Sequence, residues 1–518
     1  MKKTLLMLVA FMATMTASAE DQWKTGTFTP VNDATKLSGM HTAVASNGDV
    51  YASSTYNQVF SFAGANITDP EGYTSACIVK YDKNANEKWA VALFGGSAKV
   101  TAMTVDTDGT LYAAGTFEDT QLLCYGANNA EGVIVPGDEL GLFRTAFVVK
   151  ITTEGAVSAA KGLTYSAPKF PEGYEDAFMI DYGVVPNKIA VAGDKVYVSA
   201  TYQGDVAELG WQGSYLDYGA IEIMYTYAGN RSDGVFSLKK SDLSNPSSVL
   251  TVQHTGRIVI PYMEIQSRCD AFSIVTYGDK VYAMFIGSGN LTMTTPTDSK
   301  ALEFTITDYE NEVKEHGMVI VDPADIANPT IFHAASTGLY FDPDMISLMG
   351  EAQNGIVYLA GTFLANFPLD NTVTKEKFTS FAAALNLSSP STPAWTWIND
   401  KETEESSCIG LVVTGAEMTV ATEANLYQLK NSDGTFKKAL GMVVADGAQA
   451  DDKYVAIIFG DETGKVTVMV QEIEPSGIEA IKAAAAQGEA KIYNLNGQRV
   501  AQPTKGLYIV NGVKTVLK

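Results

Sequence analysis

The chain is predicted to be all-β, a β-propeller of seven four-stranded blades followed by a small C-terminal β segment. Three observations carry the prediction. First, a phrase recurs. Gly48-Asp49-Val50-Tyr51-Ala52-Ser53 returns as Gly109-Thr110-Leu111-Tyr112-Ala113-Ala114, as Gly193-Asp194-Lys195-Val196-Tyr197-Val198, as Gly278-Asp279-Lys280-Val281-Tyr282-Ala283 and as Gly355-Ile356-Val357-Tyr358-Leu359-Ala360. A degenerate sixth copy runs Gly415-Ala416-Glu417-Met418-Thr419-Val420. A turn glycine followed by alternating apolar and aromatic residues is a hairpin feeding a strand, and recurrence at long period marks a repeat architecture. Second, further strand signals flank each copy, and four antiparallel strands make one blade. Third, strand formers abound while amphipathic helical periodicity is nearly absent.

Taken in order, the chain opens with Met1-Lys2-Lys3, an apolar run from Thr4 to Met15, and Ala17-Ser18-Ala19. A basic start, a short apolar stretch and a small-x-small site read as a secretory signal peptide over 1–19. Cleavage would leave Glu20 first, and the absence of cysteine there argues against a lipid anchor. No later apolar run approaches the ~20 residues needed to span a bilayer. The product is expected to be exported, to the periplasm, the cell surface or the medium, as a monomer without membrane insertion.

Residues 20–475 are read as the propeller. In each unit a short strand A precedes the phrase, as in Val100 to Val105, and the phrase itself is strand B. Strand C follows, as in Ala76 to Tyr81 and Ala146 to Ile151. A turn then leads to strand D, as in Lys88 to Leu93 and Ala394 to Trp397. The marker positions Tyr51, Tyr112, Tyr197, Tyr282, Tyr358 and Thr419 lie 61, 85, 85, 76 and 61 residues apart. A bare blade needs about 40–50 residues, so each carries an insertion. Past the sixth, Asp452 to Ile457 and Lys465 to Val470 read as strands B and C of a seventh blade with no strand D of its own. Trp23 to Phe28 is a strand without a blade. It is expected to complete the seventh and close the ring, which protects open sheet edges. Six blades plus an appendage is the alternative.

These residues also carry a resemblance. Asp108 to Phe117, then Ala146 to Ile151 and Glu154-Gly155, resemble the bacterial β-propeller repeat of the SBBP type. The resemblance spans about 41–445, is strongest in the first two blades, and implies a fold rather than an activity. Residues 476–518 contain Ile492 to Val500 and Gly506 to Gly512, strand–turn signals after a linker. This tail resembles the C-terminal segment of many exported Bacteroidetes proteins, related to type IX sorting domains but shorter. A small β-cap is the alternative.

The formal net charge is −23, and removing Lys2 and Lys3 takes it to −25. Such a chain repels nucleic acid and anionic membrane over most of its surface. Its four cysteines are Cys77, Cys124, Cys269 and Cys408. Four allow three full pairings. Cys77 and Cys408 lie in apolar strand patterns, where buried free thiols are expected.

A–B and C–D turns lie at one end of a propeller, and B–C and D–A connections at the other. The first set is tight here. The long segments, 118–145, 203–233, 288–315, 165–183 and 255–270, all belong to the second, so one face is plain and one elaborated. Of five arginines, Arg144, Arg231, Arg257 and Arg268 fall in or beside these segments, while Arg499 is in the tail. Planar, always-charged donors suit carboxylates and sulfates. Trp211, Tyr215, Tyr218, Tyr225 and Tyr227 add aromatic faces suited to sugar rings and protein hot spots. The expected site is therefore Arg144, Trp211, Tyr215, Tyr218, Arg231, Arg257 and Arg268, binding a glycan or an extracellular or envelope protein. The plainer alternative is that the arginines neutralise carboxylates and the aromatics pack the insertion.

No HExxH, GxSxG or P-loop occurs, and no cofactor or metal is expected. His41, His254, His316 and His333 lack metal-ligand spacing. Asp82, Asn84 and Asn86 hint at a calcium loop, but Leu93 stands where a bidentate Glu is required, so a turn is expected. A non-catalytic binding propeller is the leading reading. A polysaccharide hydrolase or lyase using paired carboxylates, and a structural envelope component, are the alternatives.

Overall fold

The repeated strands are apolar on both faces, not on alternate residues. Every residue of Leu111–Phe117 is buried, as are all of Val50–Tyr56. A strand covered on both sides belongs to a sheet stacked between two others, which is the position of a blade in a ring. In the computed structural model of the chain the blades stack in this way. The model describes all residues except 1–22, 32–36, 58, 69–73, 128–130, 140, 142–143, 165–182, 214–231, 255–256, 261–262, 267, 305, 309–312, 338–345, 403–404, 414–416, 423, 440–445, 451–452, 462, 473–491, 494–505, 511–512 and 518. The signal-peptide reading of 1–19 therefore lies outside the described residues.

Seven antiparallel sheets follow one another around the ring. The strands of blade 1, A to D, are Thr42–Val44, Val50–Asn57, Thr74–Tyr81 and Glu87–Phe94; those of blade 2 are Lys99–Val105, Leu111–Phe117, Thr145–Ile151 and Val157–Leu163. Blade 3 comprises Gly183–Ala192, Lys195–Gln203, Ser232–Lys239 and Ser247–His254, and blade 4 Arg268–Tyr277, Lys280–Ser288, Val313–Val321 and Thr330–Thr337. Blade 5 has Leu348–Gln353, Ile356–Phe367, Asp370–Asn386 and Pro393–Ile398, and blade 6 Cys408–Val413, Glu417–Thr422, Leu426–Lys430 and Phe436–Ala439. Blade 7 takes Asp446–Ala450, Tyr454–Gly460 and Val466–Glu472 from the C-terminal side and Lys24–Phe28 as its fourth strand.

That fourth strand closes the ring as expected. Lys24 to Phe28 run antiparallel to Val470 to Val466, residue for residue. Gly26 lies where this strand meets blade 1. A Cβ there would sit 2.4 Å from the Tyr81 ring, so glycine alone allows the approach.

The core is divided into slabs, one per seam between blades. Tyr51, Ile78, Val91, Leu111 and Phe147 fill the seam between blades 1 and 2. Phe28, Val50, Val79, Ile458 and Val468 fill the seam between blades 7 and 1. Among the described residues the seam between blades 6 and 7 is the thinnest, with Ala421, Leu426, Ile457, Phe459 and Met469.

The recurrent phrase has a geometric role at these seams. The Tyr51 hydroxyl donates to the Gly109 carbonyl in the A–B turn of blade 2, at 3.0 Å. Tyr112 donates to the Lys240 carbonyl in the C–D turn of blade 3, at 3.1 Å. Trp89 and Trp395 do likewise from strand D, to Thr153 and Asn431 carbonyls at 2.9 and 2.7 Å. Their indoles lie on Gly155 and Gly434, whose φ of +88° and +68° no larger residue adopts readily. Each such bond contributes about 1 kcal/mol.

All four cysteines are free thiols. Cys77 packs in the seam of blades 7 and 1 and Cys124 in the seam of blades 1 and 2, on opposite faces of one sheet. Burial raises the Cys77 thiol and pushes the Cys124 and Cys408 thiols up to about 12.

The second compact unit, 472–518, contains a three-stranded antiparallel sheet of Ile492–Tyr493, Gly506–Val510 and Val513–Leu517.

Two outcomes are expected. Gly26→Val destabilises the protein by about 1–3 kcal/mol through overpacking, and Tyr81→Leu in the same chain recovers part of the loss; denaturant midpoints measure both. A thiol-reagent titration at pH 8 labels Cys269, the one partly exposed thiol among the four, in the native protein and all four after unfolding.

Candidate functional site

The two faces of the ring differ in what their polar groups do. At the A–B and C–D end, turn carbonyls accept from the tyrosines and tryptophans described above, and from Lys80 and Lys150. Lys80 is also paired with Asp49 at 2.7 Å, and Lys240 with Asp106 at 2.8 Å. The Asp82 turn belongs to this end. Its carboxylate accepts the backbone N–H groups of Asn84 and Asn86 and pairs with Lys88. Burial opposes its charge, but donation from Lys88, then Asn86 and Asn84, outweighs burial and holds it well below the usual carboxylate range. Its acceptors are engaged within the turn, as the turn reading expected.

At the opposite end the B–C insertions reach back to the preceding blade. The hairpin Val59–Phe62 with Ala65–Thr68 sends Phe60 and Phe62 against Phe28 of blade 7, ring centroids 6.5 and 6.2 Å apart. Strands Gln121–Tyr125 and Val133–Pro136, inserted in blade 2, extend the sheet of blade 1. Strands Asn290–Thr294 and Ser299–Glu303, inserted in blade 4, extend that of blade 3. Glu208, in the insertion of blade 3, pairs with Lys161 of blade 2. Much of the length on this face therefore serves to join neighbouring blades, which sequence length alone could not distinguish from free loops.

The expected site residues fare differently. Arg144 stands at the B–C end of blade 2. Its Nε donates to Glu118 Oε1 at 3.1 Å, with both side chains about a third exposed. Its carbonyl backs onto Gly183, where an added Cβ would lie 2.2 Å away. Trp211 is 2 % exposed. It packs on Tyr202 at 4.6 Å and donates from Nε1 to Ser248 Oγ at 2.8 Å. Both the ring and its donor are used internally, so Trp211 serves the core of the insertion and presents no platform to a ligand. Tyr215, Tyr218 and Arg231 lie outside the described residues. Arg257 begins the hairpin Arg257–Ile260 with Met263–Gln266. Arg268 begins strand A of blade 4, in register with Ser288, which is in register with His316. This places Arg268 and His316 at the B–C and D–A end. The arrangement brings Arg144 and Arg268 to one end of the ring, as read from the sequence.

An axial cavity of about 530 Å³ runs along the ring, lined by the A strands of all seven blades. One ion pair and one hydrogen-bonded carboxylate lie in it. Lys188 of blade 3 donates to Glu351 Oε1 of blade 5 at 2.7 Å, spanning a blade that neither belongs to. Enclosure opposes charge on Lys188, but Glu351 beside it and Asp446 beyond outweigh this and raise its ammonium above the ordinary value. Asp446 of blade 7 accepts the Thr42 and Gly447 backbone N–H groups at 2.7 and 2.8 Å and faces His41 Nδ1 at 3.6 Å. The sequence reading missed Lys188 and Glu351. Their signal was a charge within the apolar strands Lys188-Ile189-Ala190-Val191 and Gly350-Glu351-Ala352.

Among the described residues no group of three or more His, Cys, Asp or Glu could hold a metal ion, and no helix is long and apolar enough to cross a membrane.

No family model matches the chain, and no curated protein matches it in sequence. Among solved structures it is similar to the Dos1 propeller, at 9% identity and TM-score 0.39, over 87% of this chain and 94% of that one. It is similar to YCF48 bound to D1 peptide, at 7% identity and TM-score 0.39, over 89% and 99%. It is also similar to BamB from Moraxella catarrhalis, at 10% identity and TM-score 0.31, over 80% and 93%.

Trp211→Ala is expected to cost about 3–5 kcal/mol of stability, as for a buried aromatic, whereas Arg144→Ala costs at most about 1 kcal/mol, as for an exposed ion pair. Thermal and denaturant unfolding of the two variants side by side measures the contrast.

Proposed function

We propose that the chain is an exported, non-catalytic binding propeller that holds a protein or glycan through the face bearing its B–C and D–A connections. The observation that carries this reading is the asymmetry of the ring. Turn carbonyls of the plain face are engaged by neighbouring blades, while Arg144 with Glu118 stays partly exposed on the other. On a chain of net charge −23, arginine at one end supplies planar, bidentate donors suited to carboxylate or sulfate. In this reading Arg231, Arg257 and Arg268 join Arg144 as ligand contacts, with Tyr215 and Tyr218 as aromatic neighbours. The likeness of the first blades to the SBBP-type repeat and of the tail to exported Bacteroidetes proteins fits a protein of the envelope, acting as a monomer without a cofactor.

The test is a binding screen of residues 20–518 against glycan and extracellular-protein arrays, beside a variant with Arg144, Arg231, Arg257 and Arg268 all changed to Ala. The expected result is a ligand that the intact chain holds and the folded variant releases, a loss of at least tenfold. Equal binding by both proteins contradicts the arginine face.

A further inference from the structure

We propose that the axial cavity is a second binding site, for a neutral polyhydroxylated molecule of monosaccharide or disaccharide size, with Lys188 and Glu351 as its hydroxyl clamp. This goes beyond the arginine face and does not depend on it.

The cavity has the size and character of a small-molecule site. Its ~530 Å³ falls within the ~300–1,000 Å³ of such pockets. Met103, Val191, Met349 and Ile409 are partly exposed apolar residues of its lining, and Lys188, Glu351, Asp446 and Asp106 are its charged ones. A sugar has a similar split character, with apolar C–H faces and a rim of hydroxyls.

The polar groups disfavour an anion, which would meet Glu351 and Asp446 beside the one ammonium among the lining residues, Lys188. Glu351 is already countered by Lys188, and each oxygen of Asp446 accepts one backbone N–H, from Thr42 or from Gly447. A hydroxyl avoids that penalty, because it donates and accepts at once. Lys188 carries three N–H donors, one of which reaches Glu351 Oε1. Lys188 has two further donors and Glu351 a second oxygen, and both residues line the cavity. A vicinal diol fits this arrangement, one hydroxyl accepting from Lys188 and the next donating to Glu351. The clamp is held from two separate blades, so its spacing is set by the ring and not by one flexible loop.

The experiment is isothermal titration and thermal melting of residues 20–518 with glucose, galactose, mannose and N-acetylglucosamine, beside glucuronate as the anionic probe and glucosamine as the cationic one. At least one neutral sugar is expected to bind and raise the melting temperature, with glucuronate at least tenfold weaker. Glu351→Gln and Lys188→Met each lower affinity for that sugar at least tenfold, and Arg144→Ala leaves it unchanged. A crystal of the unaltered protein soaked in the same sugar shows it beside Lys188, a readout that needs no variant to fold. The proposal is overturned if no neutral sugar binds, if a charged probe binds more tightly, if the sugar lies outside the cavity, or if folded Glu351→Gln and Lys188→Met bind as well as the parent. Loss of array ligands on the arginine variant with sugar binding intact, or the reverse, separates this site from the face.

Discussion

A ring of sheets must close, and every other feature of this molecule depends on how it does so. Each blade buries both faces against its neighbours, so no blade can satisfy its apolar surface alone. The chain enters and leaves the ring at one blade. Residues 24–28 supply the outer strand to residues 466–470, which joins two segments more than four hundred residues apart. The entropy of closing so long a loop grows only logarithmically with its length. The ladder gives blade 7 its fourth strand and ties the N-terminal end of the propeller to its C-terminal end.

The same constraint explains why the repeated phrase contains a tyrosine. Side-chain packing supplies the apolar slabs, but slabs alone do not set the angle between blades. A phenol that reaches a specific turn carbonyl of the next blade adds a directional contact, and Tyr51 and Tyr112 share this arrangement. Lys80 and Lys150 lie opposite these tyrosines on strand C, 5.4 and 5.9 Å from their rings. The first two blades thus carry the fullest form of the phrase together with this pair of seam contacts. In the sixth blade Thr419 occupies the tyrosine register, opposite Gln428. The seam it faces is the thin one.

Most of this architecture was legible in the sequence. The glycine–tyrosine phrase marked five B strands, and flanking patterns marked C and D. The unpartnered strand at Trp23 to Phe28 pointed to closure of the seventh blade, where it lies. The strand Asp446–Ala450 was not read, because its five residues carry Asp, Gly and Gln among two alanines and no apolar alternation. For Trp211 the sequence left ligand contact and packing of the insertion both open, for a physical reason. A tryptophan among tyrosines looks alike whether its ring faces solvent or Gly234, and only the close approach to that glycine decides it. Lys188 and Glu351 are far apart in sequence and come together through the curvature of the ring, which no local pattern encodes.

Closure also shapes the two candidate sites. The insertions that tie blades together stand on the same end as Arg144, so that face is built on braced elements. The axial cavity exists because seven A strands converge without filling the centre; its Lys188–Glu351 pair joins blades 3 and 5, and the Thr42–Asp446 hydrogen bond joins blades 1 and 7. Native-state hydrogen exchange tests the closure directly. Amides of Lys24–Phe28 that bond to Val466–Glu472 should exchange together with the core B strands, at the rate of global unfolding. Fast exchange of Lys24–Phe28 while the B strands stay protected would contradict an account in which this strand holds the ring shut.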